Sequence, residues 1–236
     1  MLYFSLAPLI IGVLVSFYLF AEWLKHGRRY AFPIFWSLGL IILYLFQIPA
    51  IVSNAGLKIV LTDFNSFFSL AFPIAFFSYL LIYLGILSAT KPTTYRKLYK
   101  YLLLWFALAL AFYAFYFAGD KIFESRAPLY ASILLFFLPL HLLTLFALLK
   151  WYRKQAWTKA WLVKSGIMLM AAATLTGVFR SLFVFKGISL YPPHLWFIVL
   201  SSKTIFVAQT IGLLLLVVGF IFVHRNCFKD SGKDLC

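Results

Sequence analysis

Acidic residues are scarce in this sequence, and none of them lies deep within an apolar stretch. The 236 residues include six Asp and Glu against 21 Lys and Arg, and charged residues make up 11% of the chain. A soluble domain carries about a quarter charged residues. A proton pump relays protons through carboxylates or histidines within its membrane segments. The shortage of charge therefore excludes an ordinary soluble domain, and the shortage of acids argues against proton pumping.

Cysteine is almost missing as well. The two cysteines, Cys227 and Cys236, lie within the last ten residues. We expect them to be reduced thiols in a cytoplasmic tail rather than parts of a disulfide framework. The sequence also has no metal-binding or nucleophile motif. These absences favour a non-enzymatic role and predict no catalytic residues and no metal site.

Long runs without charge are abundant, by contrast. Seven apolar segments are found, of which only the sixth contains a charge, Arg180: Met1–Ala21, Tyr30–Leu57, Phe64–Thr90, Tyr101–Gly119, Ala127–Leu149, Ser165–Phe185 and Thr204–Val223. A helix needs about 20 apolar residues to cross the hydrocarbon core. We therefore predict an all-α, polytopic integral membrane protein with a seven-helix bundle over residues 1–223 and a cytoplasmic tail over 224–236. Six spans would result if one segment were re-entrant.

The positive charges are distributed unevenly between the two ends of these segments. Fifteen of the 21 Lys and Arg residues follow the first, third, fifth and seventh segments. Positively charged loops stay in the cytoplasm, which predicts an N-terminus outside and a C-terminus inside. The same charges would meet anionic lipid headgroups. The net charge of +15 therefore indicates a partner in the bilayer and does not call for nucleic acid. The first segment has no preceding basic region or following cleavage site, so we interpret it as a span rather than a signal peptide.

Two cations fall inside or at the edge of the last two segments, Arg180 and Lys203. A cation at the middle of a membrane helix costs about 2.5–3.5 kcal/mol on insertion scales. Helix geometry places both residues towards the outer side, with Thr176 one turn from Arg180 on the same face. We predict an anion or lipid-headgroup site formed by Arg180, Lys203 and Thr176. The alternative is that each cation extends separately to the outer headgroups.

Three further residues in the fifth and sixth segments stand out. Ala173 and Gly177 are one turn apart, so another helix should approach closely there. His141 lies in mid-membrane, where we expect a neutral imidazole hydrogen-bonded to a neighbouring helix. A haem with two histidine ligands would need a second histidine at the same depth, and His26, His194 and His224 lie near the surfaces. Retinal on Lys203 would lack a carboxylate counter-ion. We therefore expect neither cofactor.

The layout resembles the seven-helix sensor region at the N-terminus of some bacterial histidine kinases. The resemblance is carried by Leu9–Trp36, which includes the basic turn Lys25-His26-Gly27-Arg28-Arg29, and by Leu216–Phe220 in the closing segment. It implies a sensor-like module in a bacterial inner membrane. No kinase sequence follows the last segment, so we expect signalling through a separate partner protein.

Three functions agree with these patterns. The first is a non-enzymatic membrane subunit or sensor-like module that binds a hydrophobic or anionic ligand and acts with a partner. The second is a small transporter, although no internal repeat of the kind common in transporters is found. The third is the membrane anchor of a redox complex.

Overall fold

The protein is helical throughout the part that the structure, a computed structural model, describes. These residues are 2–25, 31–45, 64–90, 92–118, 127–154, 161–190 and 203–228. The helices are α1 (Leu2–Lys25), α2 (Phe32–Leu45), α3 (Phe64–Thr90), α4 (Pro92–Ala118), α5 (Ala127–Ser132), α6 (Leu138–Lys154), α7 (Trp161–Leu190) and α8 (Lys203–Phe228). A π-helical turn, Ile133–Phe137, joins α5 to α6 in one continuous rod.

Four stretches within these helices are long and apolar enough to cross a membrane: Phe72–Thr90, Lys97–Phe115, Tyr130–Lys154 and Trp161–Gly187. Two shorter apolar stretches, Phe32–Leu43 and Thr210–Arg225, lie in α2 and α8. The predictions of an all-helical chain and of a membrane protein are therefore confirmed. The count of seven spans and their orientation stay predictions.

Three segment boundaries differ from those predicted. Helix α4 begins at Pro92, so the basic residues Arg96, Lys97 and Lys100 lie in its first turns rather than in a loop. Proline suits this start because its missing N–H would have no partner in the first turn. Helix α7 begins at Trp161 and includes Lys164. Helix α8 continues to Phe228 and includes His224, which was assigned to the tail.

Two of these reassigned residues are buried at one end of the bundle. Lys164 is 6% exposed, and its ammonium lies 5.2 Å from the centre of the Tyr152 ring, as in a cation–π contact. His224 is 3% exposed and packs edge-on against Tyr18 with ring centres 5.5 Å apart. Helices α7 and α8 therefore extend past their apolar runs and bury these two side chains in the bundle.

The helices form a closed ring in the order α1, α2, α3, α6, α7, α8, with α8 packed against α1. Helix α4 stands outside this ring against α3. In the apolar stretch of α3, 61% of the residues are buried, against 17% in that of α4. Helix α3 is therefore interior on most of its surface, whereas α4 is mostly exposed to the surroundings of the bundle.

Serine hydroxyls connect the first three helices. Ser37 of α2 donates to the carbonyl of Ser16 in α1 at 2.9 Å, and Ser78 of α3 donates to the carbonyl of Gly39 in α2 at 3.1 Å. Gly39 also allows a close approach of the helices, since a Cβ there would lie 3.0 Å from the carbonyl oxygen of Ser78. Small residues and interhelical hydrogen bonds are what hold helices together where lipid removes the hydrophobic driving force.

Helices α7 and α8 approach most closely through small residues spaced by seven. A Cβ on Gly166 of α7 would lie 2.9 Å from the carbonyl oxygen of Gly219 in α8. A Cβ on Gly219 would lie 2.7 Å from the carbonyl oxygen of Gly166. Seven residues along each helix, a Cβ on Gly212 of α8 would meet the Thr176 side chain first and would lie 3.5 Å from the carbonyl oxygen of Ala173 in α7. Gly166, Ala173, Gly212 and Gly219 form the glycine seam, and backbone meets backbone at its Gly166–Gly219 end.

The π-helical turn marks a break in the α-helical hydrogen-bond ladder before Pro139. Proline has no N–H, so the carbonyl of Leu135, four residues earlier, loses its usual partner. The amide of Leu138 bonds instead to the carbonyl of Ile133, five residues back. The indole Nε1 of Trp105 in α4 donates to the Leu135 carbonyl at 3.2 Å. The break is therefore compensated by a side chain from the neighbouring helix.

Candidate functional site

A cavity lies between α3, α6, α7 and α8, and we call it the Arg180 cavity. Its volume is about 30 Å³, which is room for about two waters. Its lining residues are Tyr79, Ile82, His141, Thr144, Ala173, Thr174, Thr176, Gly177, Arg180, Gly212, Leu213 and Leu216. One cation, one imidazole and several hydroxyls are thus gathered at one place between the helices.

The Arg180 side chain turns into the bundle rather than towards lipid. Its Nη1 donates to the Tyr79 hydroxyl across 3.2 Å. Its Nε is buried and has no hydrogen-bond partner among the described residues. The described lining includes no Asp or Glu, so no carboxylate from that lining neutralises the guanidinium. Independent extension of Arg180 to lipid headgroups, the alternative considered above, is not the arrangement in the structure.

His141 lies beside this cation, wedged between α3 and α7. Its ring meets the Tyr79 ring edge-on with centres 4.7 Å apart, and the residue is 5% exposed. A Cβ on Gly177 would lie 2.8 Å from the imidazole Cε1 and 3.0 Å from both ring nitrogens. The absence of a side chain at Gly177 is therefore what leaves space for the imidazole.

The threonines around the cavity have their hydroxyl protons engaged within their own helices. Thr144 donates to the Leu140 carbonyl at 2.7 Å, and Thr176 donates to the Ala173 carbonyl at 2.7 Å. Thr174 bonds in the same way to the carbonyl of Met170. A hydroxyl that has donated its proton retains its acceptor lone pairs. Hydrogen-bond donors for a ligand must then come from Arg180, Tyr79 and His141.

Replacing Gly177 by alanine should push the His141 ring from its place and lower stability by about 1–3 kcal/mol, as overpacked cores do. The additional change His141→Ala removes the ring that the new methyl group meets. The double variant should then be more stable than the sum of the two single effects predicts. Thermal unfolding of the three variants and the wild type in detergent measures this coupling. Strictly additive losses would show that Gly177 and His141 do not compete for space.

The site residues predicted from the sequence do not all lie together in the structure. Arg180 and Thr176 line one cavity, as does Ala173. Ala173 packs near Gly212 of α8, whereas Gly177 faces the His141 imidazole of α6. The two small residues therefore pack against different helices. Lys203 is the first residue of α8, but its side chain lies outside the described part, as do Pro192 and Pro193. The pairing of Lys203 with Arg180 stays a prediction.

Sequence reasoning missed several members of the site. Tyr79 was read as part of an apolar segment, and its contact with Arg180 joins residues from distant helices. Thr144 and Thr174 were passed over because threonine is common in membrane helices. Gly212 had a readable signal, since Gly212 and Gly219 repeat at the same seven-residue spacing as Gly166 and Ala173. The contact between the two sets follows from pairing the helices.

No protein-family model, curated protein or solved structure matches the chain. The arrangement gathers three hydrogen-bond donors, a guanidinium, a phenol and an imidazole, beside one another. Among the described residues, no group of three or more His, Cys, Asp or Glu is placed to hold a metal ion.

Proposed function

We propose that this chain is a non-enzymatic multi-pass membrane module that binds an anionic ligand at Arg180 and acts through a partner protein. The observation that supports the proposal is the buried Nε–H of Arg180, which has no described protein partner in a cavity whose described lining contains no carboxylate. An unneutralised charge in an apolar interior is costly. A bound anion relieves this cost and gains charge-assisted hydrogen bonds.

The position of the cavity supports a signalling role. Four helices contribute to its lining, and a ligand there would contact α3, α6, α7 and α8 together. The glycine seam joins α7 to α8 from Ala173 and Gly212 in the cavity lining to Gly166 and Gly219, and α8 continues to Phe228. A ligand that binds one arrangement of these helices more tightly increases the population of that arrangement. The change would also reach the far end of α8. In the sensor modules that the sequence resembles, this end leads into the kinase; here we assign it to contact with a separate partner.

The proposal includes seven spans with the N-terminus outside, in the inner membrane of a bacterium. Its support is the excess of cations after alternate apolar segments. A cysteine introduced by Ser125→Cys, in the predicted outer loop, should react with an impermeant thiol reagent added to intact cells. Cys227 should react only after the cells are permeabilised. Labelling of Cys227 in intact cells would reverse the orientation.

The function is tested by replacing Arg180. The wild-type chain, isolated from its native membrane, should carry an anionic compound that Arg180→Gln loses, with binding weakened about tenfold or more. Arg180→Lys tests whether a positive charge alone is sufficient, and Ser181→Ala is the control for substitution in the same turn. Mass spectrometry of the bound small molecules and of co-purifying proteins provides both readouts. Equal anion content in wild type and Arg180→Gln would refute the proposed site.

A transporter is the second candidate, and the cavity favours it for one reason. Substrate sites of transporters lie between helices and carry charged residues. The Arg180 cavity shares both features, since it lies between four helices and contains a cation. Uptake of a labelled anion into proteoliposomes that is lost in Arg180→Gln would support transport, whereas binding without uptake would support the sensor-like module.

A further inference from the structure

We propose that the ligand of the Arg180 cavity is a short-chain monocarboxylate. Its carboxylate would bind the guanidinium, and its alkyl chain would lie against Ile82, Leu213 and Leu216. This inference rests on the proposed function, since it names the chemical class of the anion that binds there. Charge, hydrogen-bond geometry and size support it separately.

The charge of the cavity matches a monoanion. Arg180 is the one Lys or Arg among the described lining residues, and arginine stays protonated under all ordinary conditions. A monoanion neutralises this charge. A phosphate or sulfate dianion would bring a second negative charge into the same apolar space, where an unpaired charge is heavily penalised. The cavity therefore discriminates against dianions.

The free edge of the guanidinium matches a planar, two-oxygen ligand. The hydrogen bond to Tyr79 is made by Nη1, which lies on the side of the group away from the Nε–H. Nε and Nη2 form the other edge, and the Nε there is buried without a described partner. Two parallel N–H groups on one edge fit the two oxygens of a carboxylate. A spherical halide would use this edge less well.

Donors beside the guanidinium complete the head-group site. The Tyr79 oxygen accepts from Arg180, so its own proton is available to a ligand oxygen. The neutral His141 ring has one N–H and packs against Tyr79. A carboxylate offers about four lone-pair directions, enough for the two N–H groups of Arg180 and for both neighbours.

The size and walls of the cavity select a short chain. Its volume of about 30 Å³ holds about two waters. This is room for a carboxylate and little more. Ile82 and Leu213 are each 3% exposed and form an apolar wall beside the polar end. An alkyl chain of one or two carbons would contact this wall, whereas a long fatty acid would need a continuous passage to lipid.

The experiment measures thermal unfolding of the purified full chain in detergent at constant ionic strength. Acetate, propionate and butyrate are compared with chloride, with inorganic phosphate and with oleate. A short monocarboxylate should raise the unfolding temperature of the wild type most. Arg180→Gln and Arg180→Lys should each weaken its affinity about tenfold or more, because lysine keeps the charge but lacks the two-donor edge. Binding of ¹³C-carboxyl-labelled propionate, followed by NMR, provides a measurement that does not depend on unfolding.

A wall variant tests the alkyl part. Ile82→Ala enlarges the cavity and should shift the preferred acid towards a longer chain. Ile86→Ala makes the same truncation at a fully buried position of α3 that does not line the cavity, and it should leave the preference unchanged. An unchanged preference in Ile82→Ala would overturn the assigned place of the alkyl chain.

The outcomes separate this inference from the proposed function. Arg180-dependent binding of chloride, phosphate or oleate in preference to the short acids would overturn the monocarboxylate assignment and leave the anion site standing. No Arg180-dependent binding of any of these anions would overturn both. Stabilisation by short acids that persists unchanged in Arg180→Gln would place their binding elsewhere and also overturn the assignment.

Discussion

Gly219→Val should separate α7 from α8 and lower the free energy of unfolding by about 3 kcal/mol, at the upper end of overpacking effects. The first added carbon alone would lie 2.6 Å from Met170 Cγ and 2.7 Å from the Gly166 carbonyl oxygen. Met170 has rotatable bonds and moves at little cost. The Gly166 oxygen belongs to a helical backbone, so the whole helix must shift. The loss should be visible in thermal unfolding or in denaturation by a harsh detergent.

The matched control for this substitution is Ala111→Val. Ala111 lies in α4 on an exposed surface, so the same branched side chain meets no neighbouring helix there. Its effect should stay within about 0.5 kcal/mol, the range for surface substitutions. Equal effects of the two valines would show that the glycine seam does not determine the packing of α7 against α8.

Arg180→Met should make the chain more stable in the absence of ligand, by about 2–3 kcal/mol. The physical reason is that a cation in an apolar helix costs about this much on insertion scales. Methionine fills much of the same volume without charge and adapts to irregular space. The variant should at the same time lose anion binding. Thermal unfolding with and without ligand measures both effects, and a large loss of stability would show that Arg180 is structural.

The Tyr79 hydroxyl provides the control for that result. Tyr79→Phe removes the described protein partner of the Arg180 side chain. It should lower stability in the wild type, because the guanidinium then loses a hydrogen bond to a neutral group, worth about 1.5–3 kcal/mol. In the Arg180→Met background the same change should have little effect. The difference between the two backgrounds gives the coupling energy of the pair. Equal losses in both would mean that Tyr79 acts without Arg180.

Sequence patterning predicted the helices because charge-free runs of about 20 residues have few other interpretations. The ends of the helices were harder to place. Helix α4 continues into a charged stretch at Lys97 and Lys100, and α8 continues through His224. Helical hydrogen bonding does not stop where the apolar run stops, since basic side chains are themselves good or adequate helix formers. Hydropathy therefore locates the apolar span but does not predict how far the helix continues beyond it.

The residues of the site also differ in how far the sequence could predict them. Arg180 was identified from sequence because a charge inside an apolar run needs an explanation. Tyr79 could not be singled out from sequence, because the chain has 14 tyrosines and nothing distinguishes this one. Only its contact with the guanidinium identifies it. Residues spaced along one helix share a face by simple periodicity. Residues on different helices meet only through the order and rotation of the helices in the ring.

The closure of that ring has a consequence for how the protein is made. Trp36 of α2 stacks on Phe220 of α8, with ring centres 4.3 Å apart and planes nearly parallel. Helix α8 is synthesised after every other described helix, so α1 and α2 are made long before their partner exists. Contacts between such distant parts of a chain form late. During translation, the face around Trp36 therefore lacks its final neighbour until α8 has been made.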